Sequence, residues 1–276
     1  MPSKTEYETI LYRAENRIAT ITLNRPKVKN AINFVMMEEL PHALRRAAAD
    51  REVNVVVLTH NGPDWGAGYD LKLDWHEKYG GEEGVLGARN MLQACTAFEY
   101  GPWDCAKPVI AMLRGYCLAG SCELAMMCCV TFASDTAQFG EPEIRFSTAP
   151  PMMVMPWTIG LKKSRELLYT GDTIDAEEAL RLGMVNRVYP DAELEAETYR
   201  YARRCAAISQ EALKTTKAAI NRGAEAAGFR QAMEIGMDMG AMLDSTPTEV
   251  YETFKAITAK DGLRAALRWR ESQFEK

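Results

Sequence analysis

Long apolar runs are missing from these 276 residues. No stretch approaches the roughly 18 residues that cross a bilayer, and the opening residues 1–13 carry no continuous apolar segment of the kind a secretory signal needs. Neither a membrane partner nor export is expected, and the cytoplasm is the expected compartment. An excess of positive charge is missing too. With 33 Lys+Arg against 38 Asp+Glu, the formal net charge of −5 offers no basic footprint for a polyanion, which argues against nucleic acid as a partner. Histidine is scarce: His42, His60 and His76 are scattered. The seven cysteines are odd in number, lack zinc spacing and sit mostly in apolar sequence, so they read as reduced core residues and no metal site is expected. No repeat or low-complexity segment is visible. The balance of 47% hydrophobic and 26% charged residues excludes a disordered chain and a disulfide-stapled miniature fold. What remains is a globular protein long enough for one large domain, or a domain with a small appendage.

Residues 8–12 and 17–23 are rich in Ile, Thr and Leu around the turn-like Ala14-Glu15-Asn16, which predicts a hairpin. Asn33 can cap a helix to about residue 49, in which Met36, Met37, Leu40, Leu44 and Ala48 recur at three and four and Pro41 removes one backbone bond. Residues 54–59 are short, apolar and β-branched, the mark of a buried strand. Strand, helix, strand in this order implies a parallel sheet. Residues 61–87, with Gly80, Gly81 and Gly84, keep no period and predict a surface loop. A helix over 88–98, a strand over 108–112, a helix over 120–128 and a strand over 130–133 follow. Beyond Pro151 the sequence is mostly helical, with a last strand near 186–189.

Three local patterns carry chemistry. Trp65-Gly66-Ala67-Gly68-Tyr69-Asp70 follows the third strand, and its small residues let a ligand approach the backbone. Leu118-Ala119-Gly120-Ser121-Cys122-Glu123 is a strand-to-helix junction, where the Gly120 amide sits at a helix N-terminus suited to negative charge. Phe139-Gly140-Glu141-Pro142-Glu143 brings a carboxylate into apolar surroundings. In this order, together with Leu23-Asn24-Arg25-Pro26, Lys107-Pro108-Val109-Ile110-Ala111, Tyr169-Thr170-Gly171-Asp172 and Gly183-Met184-Val185-Asn186, the patterns resemble the crotonase superfamily and, within it, the enoyl-CoA hydratases. The resemblance runs over nearly the whole chain.

The resemblance implies an α/β fold: a crotonase-type β/α spiral core over residues 1–190 and a C-terminal helical trimerisation region over 191–276. It implies a thioester oxygen held by the Ala67 and Gly120 N–H groups, with Glu123 as base toward water and Glu143 as acid toward Cα. The first helical turn biases Glu123 toward the ionised form. Desolvation beside Phe139, Ile144 and Phe146 raises Glu143. Glu141, two residues away, points to the opposite face if the segment is extended, and reads as structural.

The chain departs from the family after Glu143, where Pro151 falls near the amide that positions water and has no N–H to give. Met152, Met153, Met155 and Trp157, with Trp65, Tyr69 and Trp103, imply a wide acyl pocket for a bulky, cyclic or aromatic group. Asp70 completes the expected substrate loop. Lys27 and Lys29 are the expected CoA contacts, with Arg270 supplied across a subunit boundary in a homotrimer or dimer of trimers. No cofactor is implied, since coenzyme A is part of the acyl-CoA substrate. Hydration of a 2-enoyl-CoA is the expected reaction. Alternatives are isomerisation, hydration with retro-aldol cleavage or C–C hydrolysis on the same scaffold, and a non-catalytic CoA-binding or RNA-associated member.

Overall fold

The computed structural model describes residues 7–80 and 84–274. Its elements are β1 (Ile10–Glu15), β2 (Ile18–Leu23), α1 (Phe34–Ala49), β3 (Val55–His60), α2 (Val85–Glu99), α3 (Gly101–Asp104), β4 (Val109–Leu113), β5 (Tyr116–Leu118) and α4 (Gly120–Met126). Then come β6 (Val130–Ser134), β7 (Gln138–Gly140), α5 (Met155–Ile159), α6 (Leu161–Thr170), β8 (Ile174–Asp175), α7 (Ala176–Leu182) and β9 (Arg187–Tyr189). Five helices close the chain: α8 (Asp191–Ala206), α9 (Gln210–Ala226), α10 (Phe229–Asp244), α11 (Glu249–Asp261) and α12 (Leu263–Ser272).

The hairpin forms, with its turn one residue later than expected: β1 runs to Glu15, and Asn16 and Arg17 take the positive φ of a tight turn, 49° and 65°. β2 then pairs in parallel with β3, β3 with β4, β4 with β6 and β6 with β9, giving a six-stranded sheet in the order β1-β2-β3-β4-β6-β9. A smaller sheet, β5-β7-β8, stands beside it. Every residue of β3 is buried, because the large sheet is covered on both faces. On one face Met36, Leu40 and Leu44 of α1 pack against Ile21, Val56 and Leu58. On the other, Leu194, Ala202 and Ala206 of α8 cover Ile18, Val55, Val57 and Ile110. The helix beyond residue 190 therefore completes the core of the sheet. Asn33 caps α1 by accepting the Met36 N–H at 2.9 Å, and Pro41 lies inside the helix without ending it.

Part of the expected loop is ordered. Residues 76–80 form a π-helical turn and α2 begins at Val85. The Trp75 and Tyr79 rings meet Phe34 edge-on, at 4.7 and 5.5 Å, a tertiary contact that no local period reveals. Gly81, Glu82 and Glu83 lie outside the described residues. The C-terminal helices fold back over the site region. Met237 and Ala241 of α10 pack on Leu92 of α2, and Phe254 of α11 meets Phe146 edge-on at 5.0 Å. Among the described residues no helix is long and apolar enough to cross a membrane.

Candidate active site

Strands β3 and β4 run parallel, with Val57 opposite Ile110, so the loops leaving their C-terminal ends emerge side by side, the usual place for a site in such a sheet. A bridge between Gly66 and Cys117 joins the two loops: the Gly66 N–H donates to the Tyr116 carbonyl at 2.9 Å and the Leu118 N–H to the Gly66 carbonyl at 3.0 Å. Ser121 ties them again. Its Oγ accepts the Gly68 N–H at 3.1 Å, while its carbonyl accepts Trp65 Nε1 at 2.9 Å. The approach is close enough that a Cβ on Gly68, at φ +83°, would lie 2.5 Å from that of Ala119. Ala119 itself has φ 56° and ψ −140°, a conformation natural to glycine. That bend presents the Gly120 amide at the start of α4.

Backbone accounting decides which N–H groups remain for a ligand. Ala67, the expected first donor, is engaged: its N–H donates to the Lys29 carbonyl at 3.1 Å. The assignment moves two residues along. Gly68 O and Asp70 N bond Ile32 on either side of Tyr69, so the Tyr69 N–H faces the other way and has no acceptor among the described residues. Gly120 N–H likewise has none there. The Tyr69 ring lies over Gly120, where a Cβ would meet its Cε2 at 2.4 Å.

Four carboxyls gather beside these amides. Glu123 and Glu99 are fully buried, Glu141 is 2% exposed, and Glu143 sits in a 3-10 turn, Pro142–Phe146. Glu123 Oε1 accepts the Met152 N–H at 2.6 Å. The Met152 N–H is thus spent on Glu123, and Pro151 just before it has no N–H to give. Burial pushes Glu123 well above the ordinary carboxyl range, with Glu99, Glu141 and Glu143 adding like-charge repulsion. The helix-start bias toward ionisation is outweighed. Glu143 rises to about 7 through burial, opposed by hydrogen bonding and by the Arg270 charge. Glu141 joins the cluster, raised well above its usual value by burial, because the chain turns after it and two-residue alternation stops. Glu99 was not visible as a site residue, since it ends an ordinary amphipathic helix. Its Oε1 accepts the Tyr69 hydroxyl at 2.6 Å, and burial raises it to about 8.

Several expected pocket and CoA residues stand elsewhere. Trp65 is wholly buried in the main core, its indole spent on Ser121. Met152 and Met155 are core residues too; only the Met152 amide reaches the site. Trp157 is 43% exposed and meets Phe229, on which Trp103 stacks at 4.3 Å. Asp70 pairs with Arg25 at 3.1 Å and braces the loop. Tyr69 keeps its place, and Trp75, which the sequence did not single out, lies 5.0 Å from it and donates Nε1 to the Asp70 carbonyl. Lys27 and Lys29 are exposed; Lys29 Nζ lies 3.8 Å from Asp64. Arg270 lies over Phe146 of its own chain at 4.1 Å, next to Glu143.

Comparison with known proteins gives consistent results. The family model described as enoyl-CoA hydratase/isomerase matches residues 13–256. A protein of Rhizobium meliloti named as a probable enoyl-CoA hydratase is 38% identical over 231 residues, covering 79% of this chain and 83% of that one. A protein of Syntrophomonas wolfei named crotonyl-CoA hydratase is 32% identical over 274 residues, 97% and 98% of the two chains. The crystal structure of an enoyl-CoA hydratase/isomerase from Xanthobacter autotrophicus Py2 superposes with a TM-score of 0.93 at 37% identity, over 98% of this chain and all of that one.

Proposed function

The chain belongs to the enoyl-CoA hydratase/isomerase family, and from that premise we propose that it is a hydro-lyase adding water to a 2-enoyl-CoA thioester. One observation carries the reading: two backbone N–H groups, of Tyr69 and Gly120, have no acceptor among the described residues and lie beside a cluster of buried carboxyls. Such a pair binds a thioester oxygen and stabilises the enolate-like charge that develops when a nucleophile adds at Cβ. Glu123, oriented by the Met152 amide, takes a proton from water. Glu143, kept protonated toward neutral pH by burial, delivers one to Cα.

The acyl group is proposed to be bulky or aromatic. Its support is the partly buried cluster of Tyr69, Trp75, Tyr79 and Phe34 beside the oxyanion loop, in place of the methionines first expected there. Lys27 and Lys29, exposed near that loop, are proposed to meet CoA phosphates. A homotrimer, or a dimer of trimers, is proposed on the exposed apolar side chains of the C-terminal helices: Ile220, Ile235, Met239 and Met242 are each more than half exposed. The test is product mass after incubation with straight-chain, branched, cyclic and aryl enoyl-CoAs. Gain of one water by a thioester is the expected result. Loss of an aldehyde, or an isomer of unchanged mass, would overturn it.

A further inference from the structure

Glu99 is a fully buried carboxyl that the reaction just described does not use. Its surroundings are specific. Oε1 accepts the Tyr69 hydroxyl at 2.6 Å and would lie 2.9 Å from a Cβ on Gly120. Glu123 stands three residues beyond Gly120 on the same short helix, so the two buried carboxyls share one pocket of the fold. Glu99 Oε2 and Glu123 Oε2 are both buried and have no hydrogen-bond partner among the described residues. Two carboxyls buried in one pocket resist carrying a charge each, whereas one proton shared between them satisfies both. Two hydrogen bonds fix the pair from outside: the Tyr69 hydroxyl holds Glu99 Oε1 and the Met152 amide holds Glu123 Oε1, which leaves the second oxygen of each carboxyl to the other.

We propose that Glu99 is a positioning residue that shares one proton with Glu123, so that the base of the hydration is the Glu99–Glu123 pair, clamped by Tyr69. The proposal rests on the hydratase reading. In the step, the O–H bond of water breaks, its hydroxyl bonds Cβ, and its proton joins the pair, which then holds two. Glu143 gives its proton to Cα and becomes a carboxylate. Return of one proton from the pair to Glu143 restores the starting state, with no oxidant or reductant involved. Tyr69 thereby has two duties on one residue, its N–H toward the thioester oxygen and its hydroxyl toward the base. The groups facing Glu99 are Tyr69 from the loop, Cys95 from its own helix, Glu123 from α4, and Glu141 and Glu143 beyond β7.

The test is a double-mutant cycle. Glu99→Ala is expected to lower kcat between about 10- and 100-fold, the range for a misplaced catalytic group, with KM within about twofold. Glu99→Gln, whose amide can accept from Tyr69 and donate to Glu123, is expected to recover part of that loss. In a Glu123→Gln background, Glu99→Ala should cost less than about threefold more, since a residue acting through another loses its effect with it. Equal losses in both backgrounds, or no rescue by Gln, would overturn the proposal. A second readout needs no turnover. The melting-temperature changes of Glu99→Gln and Glu123→Gln at pH 8 should be non-additive, and additivity would overturn the shared proton. A chain that hydrates nothing yet shows this coupling would sink the hydratase reading alone.

Discussion

Ser121 lies in the first turn of α4, between Gly120 and Glu123, and its hydroxyl fills the space a Cβ on Gly66 would need, 2.3 Å away. It also holds the Gly68 N–H. Ser121→Ala leaves that buried donor unpaired and should destabilise the fold by about 1–3 kcal/mol, read as a lower denaturant midpoint. An unchanged midpoint would show that the hydroxyl does not tie the loops. Glu143→Gln is expected to lower kcat by at least about 100-fold, the lower range for a general acid, with CoA-ester binding retained. Activity above a tenth of wild type would remove Glu143 from the mechanism. At this scale the sequence was legible where a residue type has one use. Glu123, Glu143 and Gly120 come together as expected, beside buried carboxyls, because an Ala-Gly-Ser turn into a helix has few alternatives. Ala67 and Tyr69 could not be told apart in the sequence, because which amide is free depends on Lys29 and Ile32 bonding from another segment.

α12 lies against the 3-10 turn of Glu143, and its Arg270 guanidinium rests on Phe146. The Arg270 charge lowers the Glu143 pKa, against a larger rise from burial. A general acid works only while protonated, so activity falls as pH rises through that pKa. Arg270→Ala removes the lowering influence, and the falling limb of the kcat profile should move to higher pH. A limb that stays in place, or moves to lower pH, would mean that Glu143 is not the titrating acid. Helices and strands with strong periodicity, α1 and β3 among them, were readable from spacing and caps. The π-helical turn at 76–80 was not, because Phe34 holds Trp75 and Tyr79 by tertiary ring contacts. The methionines after Pro151 misled for a related reason: an apolar side chain fills a core or a pocket equally well, and only packing decides.

Across the whole molecule, the buried carboxyls set how stability depends on pH. Their ordinary value is 4.5, and the fold raises Glu99 to about 8 and Glu143 to about 7, with Glu123 and Glu141 higher than usual. The unfolded chain therefore releases these protons first. Their contribution to stability is full below about pH 4.5 and is lost as pH rises toward 8. His60 works the other way. Burial depresses it to about 4 from 6.5, so its contribution is lost as pH falls from about 6.5 to 4. The melting temperature of the free protein should be lower at pH 8 than at pH 5.5, and Glu141→Gln, which removes one buried ionisable group, should narrow that gap. Equal melting temperatures at the two pH values would contradict the placement of these groups.

The layout of the sheet was legible as strand, helix, strand, and the cover supplied by α8 was not, since nothing in residues 191–206 says which face of which layer they meet. The central claim is that two free amides and two buried glutamates add water across a thioester-activated double bond. Turnover of an enoyl-CoA in water labelled with heavy oxygen tests it most directly. The account predicts one heavy oxygen at Cβ of the product and none at the thioester carbonyl, with labelling at least about 100-fold slower after either Glu123→Gln or Glu143→Gln. Heavy oxygen appearing in a free acid from thioester cleavage, or full labelling by both variants, would contradict it.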